Sequence, residues 1–191
     1  MPALKYFRRG GIVYGTCYTA RQGFAYIQRS FASIIHSQSF ASCGADFRCG
    51  VGVFIDYPRN IRVGHRCLID NGVAIGAELP QGSLIIGDDV QINRNCSIDF
   101  SGTLTIGNGT LISAESTILT HDHGLDPRST PEGASLEIGD FVWIGARSII
   151  LHSVSQIGAR SVIAAGSVVT KDVPSDTVVA GNPARPIRRK T

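Results

Sequence analysis

Over most of the chain an aliphatic residue returns every six positions and is followed at once by Gly or another small or polar residue. The clearest run is Ile138-Gly139, Ile144-Gly145 and Ile150; after a one-residue slip at Gln156 it resumes at Ile157-Gly158, Ile163-Ala164 and Val169. Earlier stretches obey the same rule: Val63-Gly64, Ile69-Asp70 and Ile75-Gly76; Ile86-Gly87, Ile92-Asn93 and Ile98-Asp99; Ile106-Gly107, Ile112-Ser113 and Ile118-Leu119. A period of about six is that of hexapeptide β-helix repeats, in which three units make one triangular turn. Each aliphatic side chain then points into a narrow prism and stacks on its equivalents above and below. The small residue after it sits at a corner, where a bulky Cβ would obstruct the bend. Each turn covers the edges of its neighbours, so the predicted core is continuous.

The turns begin near Val63, Ile86, Ile106, Ile138 and Ile157, with insertions between them. The longest insertion runs from about Leu119 to Leu136 and is polar and rich in turn residues. A long loop on a stiff prism is where function is expected. Before Val63 the pattern frays. Phe47, Val53 and Ile61 suggest an incomplete first turn, and residues 20–40, with Phe24, Tyr26, Ile27, Phe31, Ile34 and Ile35, read as a short amphipathic helix capping the open end. The domain reading is a cap over 1–45, a β-helix over 46–184 with an active-site loop at 119–137, and a basic tail over 185–191.

Composition agrees with short strands and turns: 22 glycines, 43% hydrophobic residues and 17% charged residues in 191. A net charge of +3 gives no electrostatic case for nucleic acid. Basic residues gather at the ends, as Lys5, Arg8 and Arg9 and as Arg185, Arg188, Arg189 and Lys190. The first group reads as a solvated terminus. Cys17, Cys43, Cys49, Cys67 and Cys96 are odd in number and lack zinc-type spacing. They are expected as small apolar residues in a reducing cytoplasm. No apolar run is long enough for a bilayer, and the start lacks a signal peptide's apolar stretch. A cytoplasmic protein without membrane contact is expected.

Two histidines, His121 and His123, fall in the long loop. Together with the repeat, the segment Val142-Trp143-Ile144-Gly145-Ala146, the run from Ala164 to Pro174 and Ala180-Gly181-Asn182-Pro183-Ala184, this Thr-His-Asp-His loop resembles the left-handed β-helix O-acetyltransferases. The galactoside, maltose and colanic-acid-type polysaccharide enzymes are the nearest in pattern. The resemblance spans residue 61 to the end and does not extend to the first sixty residues. It implies an all-β, left-handed parallel β-helix, a homotrimer, acetyl-CoA as acyl donor between adjacent prisms, and a saccharide acceptor.

Transfer from a thioester to a hydroxyl needs a base, donors for the oxyanion and a site for a long anionic donor. Histidine suits the first task. Alignment with the galactoside enzymes brings their catalytic histidine onto His123; His121 is the second candidate, with Asp122 or Asp126 as orienting acids or plain turn formers. His36, His65 and His152 carry no such context, and His65 is expected to be outward and solvated. The resemblance places pantetheine contacts near Gly145, Ala146 and Ala165, and phosphate or adenine contacts on Thr170, Lys171, Arg185 and Arg188, where positive charge fits phosphate independently. Trp143 is a candidate wall for the thioester end and is equally read as packing. On the acceptor side Asp70 matches a sugar-contacting asparagine, and Glu78 falls in the equivalent stretch after Ile75; a corner Asp is also what the bare repeat tolerates. The competing readings are an antibiotic O-acetyltransferase, a sugar-nucleotide N-acetyltransferase, a three-histidine γ-type carbonic anhydrase and a non-catalytic scaffold. No metal is assigned.

Overall fold

A computed structural model describes the chain over residues 3–189, and its side chains over residues 11–14 and 16–187. Short parallel strands build a left-handed β-helix with three sheets of six, eight and six strands. The first sheet runs from Ser42–Cys43 to Gln156–Ile157, the second from Arg48–Cys49 to Ala184–Arg189, and the third from Phe54–Ile55 to Val168–Val169. The register is that of the repeat. Ile69 pairs with Ile92, Ile92 with Ile112, Ile112 with Ile144 and Ile144 with Ile163, so one aliphatic column fills each wall. These side chains are 0–1% exposed. Each contributes roughly 1.5–3 kcal/mol by leaving water.

The residues between these aliphatics are also buried but smaller, and several are hydroxyls. Ser116 donates to the Gly145 carbonyl at 3.0 Å and Ser148 to the Ala164 carbonyl at 3.1 Å, each reaching the next coil. Those bonds satisfy polar groups that would otherwise be costly to bury.

Corner chemistry divides between two positions. A Cβ on Gly107 would lie 2.5 Å from the Gly139 carbonyl carbon, so the residue after the aliphatic must be small because the coils touch there. The left-handed backbone comes two residues later, at Arg66, Phe141, Arg147 and Arg160 among others. Long side chains at these sites are held by acids of neighbouring coils: Arg66 pairs with Asp89, Arg147 with Glu115 and Arg160 with Asp176.

Three features at the ends differ from the sequence reading. The first coil is complete and starts at Ser42, inside the segment assigned to the cap, while Ile61 already belongs to the second coil. The helix runs Ala3–Ser39, broken at Gly11, whose φ is 74°. It does not cover the prism with its apolar side. Phe24, Tyr26, Ile27, Phe31 and Ile34 face outward, whereas Ala25, Ala32 and Ser33 lie half-buried, and the Ser33 hydroxyl accepts the Cys49 amide at 2.8 Å. The plug at the open end is Phe40, buried edge-on to Phe47. At the other end Ala184–Arg189 is an antiparallel strand on Thr177–Gly181 rather than a loose tail. No helix among the described residues is long and apolar enough to cross a membrane.

Candidate functional site

The third sheet gives way to the first at one corner, and there the coils bring distant residues together. Leading out of the third sheet, Glu78 follows Ala74–Gly76, Asp99 ends Ser97–Asp99, and His121 follows Thr117–Ile118. The pairs Ile75–Ile98 and Ile98–Ile118 set their register, so the three residues stand on consecutive coils of one corner. Next in the column is His152, beyond the strand Ile149–Ile150.

The long loop leaves from this corner and is ordered. His121–Asp122 pairs antiparallel with Glu132–Gly133, making a small ribbon that holds both histidines against the prism. His123 Nδ1 lies 2.8 Å from the Ser129 carbonyl oxygen, and the Ser129 hydroxyl donates back to the His123 carbonyl at 2.6 Å. Its Nε2 is 3.2 Å from Glu78 Oε2. His121 Nε2 lies 3.5 Å from Glu78 Oε1, and the two imidazoles meet edge to face at 5.2 Å. Both rings therefore turn Nε2 toward a single carboxylate.

Asp99 supports the second ring. Its Oδ2 is 3.0 Å from His121 Nδ1, although that buried nitrogen is not aligned for a hydrogen bond. Burial pushes the Asp99 carboxyl up, but hydrogen bonds from the Ser101 hydroxyl and from the Thr120 amide and hydroxyl, with the His121 ring alongside, outweigh it and hold the group below its ordinary value. The Thr120 amide donates to Oδ2 at 2.6 Å and the Ser101 hydroxyl to Oδ1 at 2.5 Å. A buried carboxylate with this many donors stays ionised.

Among the expected acids, Asp122 faces His152 at 3.3 Å, and Asp126 accepts the Arg128 amide at 3.0 Å as a turn former. Asp99 and the Ser129 carbonyl were not foreseen. Stacking the units that start at Ile75, Ile98 and Ile118 would have placed Glu78, Asp99 and His121 at one corner. His65 is exposed as expected, yet its Nδ1 accepts the Ala45 amide at 3.0 Å. The described cysteines are free thiols; Cys49, Cys67 and Cys96 are buried, with burial pushing the Cys49 thiol up to about 12, whereas Cys17 is exposed on the helix.

The remaining expected site residues separate. Asp70, Gly145, Ala146 and Ala165 lie at the corner between the second and third sheets, and Trp143 stands half-exposed beside them, its indole donating to the Ser113 hydroxyl at 3.0 Å. Asp70 lines a recess under the helix with Tyr26 and Arg29, and its carboxylate accepts the Asn71 amide at 2.8 Å. Thr170 and Lys171 return to the histidine corner, two coils beyond His121. Lys171 and Arg185 line one small recess at the end of the prism. The side chain of Arg188 lies outside the described residues.

Residues 136–171 match the hexapeptide repeat of succinyl-transferase. WbbJ of Escherichia coli, which its name alone assigns to lipopolysaccharide biosynthesis as an O-acetyl transferase, is 30% identical over 172 residues, covering 83% of this chain and 76% of that protein. The chain belongs to the hexapeptide-repeat acetyltransferases. Galactoside O-acetyltransferase of E. coli is 39% identical over 54% of this chain and 52% of its own length. A hexapeptide-repeat acetyltransferase of Vibrio cholerae solved with acetyl-CoA is 31% identical, with a TM-score of 0.56 over 83% of this chain and 75% of that one. AntD, an N-acyltransferase of Bacillus cereus, has the same fold, with a TM-score of 0.73 at 19% identity over 82% and 87% of the two chains. Matches to two yeast acetyltransferases span 48% and 57% of those proteins, so the chain covers about half the length of the first curated relatives it resembles.

Proposed function

We propose that this protein transfers the acetyl group of acetyl-CoA to a hydroxyl of a sugar or polysaccharide, with His123 as the general base. One observation supports the choice of base above the rest: His123 Nδ1 sits 2.8 Å from a backbone carbonyl, which can only accept. The ring proton therefore belongs on Nδ1, and Nε2 offers its lone pair to the corner. Half-exposed Glu78 faces that nitrogen and is suited to hold a neighbouring hydroxyl of a sugar. The acceptor hydroxyl gives its proton to Nε2 as its oxygen attacks the thioester carbonyl; when the tetrahedral adduct collapses, the coenzyme A thiolate leaves and the imidazolium returns the proton. His121, braced by Asp99, is the second candidate for this role.

Acetyl-CoA fits the residues in two ways. Gly145 abuts the next coil so closely that a Cβ would lie 2.5 Å from the Ala165 amide nitrogen, which keeps that stretch of surface free of side chains. Lys171 and Arg185 put two cations in one recess, as a phosphate requires. Trp143, Gly145, Ala146 and Ala165 occupy a different corner from the histidines, as a donor held between adjacent copies of the chain would require. That separation supports the homotrimer. The names of two relatives, a galactoside O-acetyltransferase and a lipopolysaccharide-biosynthesis O-acetyl transferase, support the saccharide acceptor. Free thiols suit a reducing cytoplasm.

The test is thiol release from acetyl-CoA against sugars, oligosaccharides, nucleotide sugars, amino sugars and chloramphenicol. Turnover on a saccharide hydroxyl that disappears in His123→Ala is the expected result. Acetyl-CoA binding with turnover only on an amine or on chloramphenicol would replace the acceptor, and absence of acetyl-CoA binding would remove the reading altogether.

A further inference from the structure

The histidine corner brings two imidazole nitrogens and a carboxylate together on one spot. His123 Nδ1 faces the Ser129 carbonyl at 2.8 Å and His121 Nδ1 faces Asp99 Oδ2 at 3.0 Å, so each ring turns its Nε2 the other way, toward the corner. Both Nε2 atoms converge on Glu78, which as a carboxylate only accepts. Two imidazole nitrogens and a carboxylate directed at one point are a donor set that a zinc-type ion takes.

We propose that Glu78, His121 and His123 form a binding site for a divalent transition-metal ion of the zinc type, and that the ion shuts the site off. His123 Nε2 lies 3.2 Å from Glu78 Oε2 and His121 Nε2 3.5 Å from Oε1, each close to the ligand–ligand spacing of about 3.3 Å around a tetrahedral ion with bonds of about 2.0–2.1 Å, so the carboxylate faces the ion with one oxygen toward each ring. One ligand atom from each of the three residues falls within a 4.8 Å group, so small rotations close the set. The atoms behind the ligands fit as well. A carboxylate behind one imidazole and a carbonyl behind the other are the partners that fix the tautomer of a metal-bound histidine and raise its basicity. Bound metal takes the Nε2 lone pairs and leaves none for a hydroxyl. The metal site stands on the geometry alone; the inhibition rests on the proposed acyl transfer.

The experiment uses the full chain with Cys17→Ser, which removes the exposed thiol as a competing ligand. Zinc is titrated against a chromophoric chelator, and cobalt(II) is added separately for its visible spectrum. One zinc per chain and an intense tetrahedral cobalt band are expected. Affinity should fall at least 10-fold in His121→Ala, His123→Ala and Glu78→Gln, and about 10–100-fold in Asp99→Asn. His152→Ala should bind as the parent does, with thermal melts confirming that each variant is folded. Less than one equivalent of zinc, unchanged affinity in the folded His121→Ala and His123→Ala proteins, or loss of binding in His152→Ala would each overturn the site. Stoichiometric binding in a protein that transfers no acetyl group would uphold the site and count against the function, so the two failures are distinguishable.

Discussion

His121 Nδ1 lies 3.0 Å from Asp99 Oδ2, a contact between neighbouring coils made by residues 22 positions apart. His123 is held differently, by a carbonyl of its own loop. One ring thus faces an acid of the adjacent coil and the other a carbonyl of the loop. His123 is the more exposed, its side chain 25% accessible against 15% for His121. That difference suits His123 to meet an incoming acceptor and His121 to brace the site.

Replacing His123 by Ala should lower kcat for acetyl transfer by roughly 10²–10⁴, the usual worth of a general base, with acetyl-CoA affinity retained. His121→Ala should cost less. Steady-state rates with an isothermal binding measurement check both; full activity in His123→Ala with loss in His121→Ala would reverse the assignment.

Asp99 links the site to stability. Its native carboxyl lies below the ordinary value, so its contribution is fully present above that value, about pH 3.9, and disappears as pH falls through the lower native one. Wild type should therefore melt above Asp99→Asn at neutral pH, and the gap should narrow as pH drops below about 4. A gap that does not vary with pH would show that the charge is not its source.

Lys171→Ala and Arg185→Ala should each raise KM for acetyl-CoA about 10-fold or more and leave kcat largely unchanged, since a charge-assisted hydrogen bond contributes about 1.5–3 kcal/mol. 3′-Dephospho-coenzyme A tested as a competitor separates contact with that phosphate from contact with the others.

Gly107→Ala forces a Cβ to 2.5 Å from backbone of the adjacent coil and should destabilise by about 1–3 kcal/mol or more. Gly23→Ala, in the helix with open space around it, should not destabilise. Urea titrations of the pair distinguish close coil packing from a general aversion to losing glycine.

Ile112 is fully buried in its column, between Ile92 and Ile144. Truncation to Ala should cost roughly 2–5 kcal/mol through lost transfer energy and the cavity left behind. A calorimetric Tm near wild type would mean that the column relaxes to fill the gap.

The prism was legible in the sequence because its rule is local and repeated. An aliphatic residue every six positions, with a small one after it, is what each corner and wall needs, and Ile69, Ile92, Ile112, Ile144 and Ile163 express it without reference to anything distant. The same regularity set the functional loop apart, as a long interruption carrying His121 and His123. What those histidines face depends on how the coils stack rather than on any local pattern. Glu78, Asp99 and His121 lie on three separate coils and meet only through coil register, so no nearby pattern marks them as a group. The helix is a second case. Its apolar residues fit an amphipathic face, but periodicity shows that a face exists and not which way it turns; the side that docks is settled by small residues such as Ala25 and Ser33, which let the helix approach the first coil and leave Phe24, Ile27 and Phe31 outside.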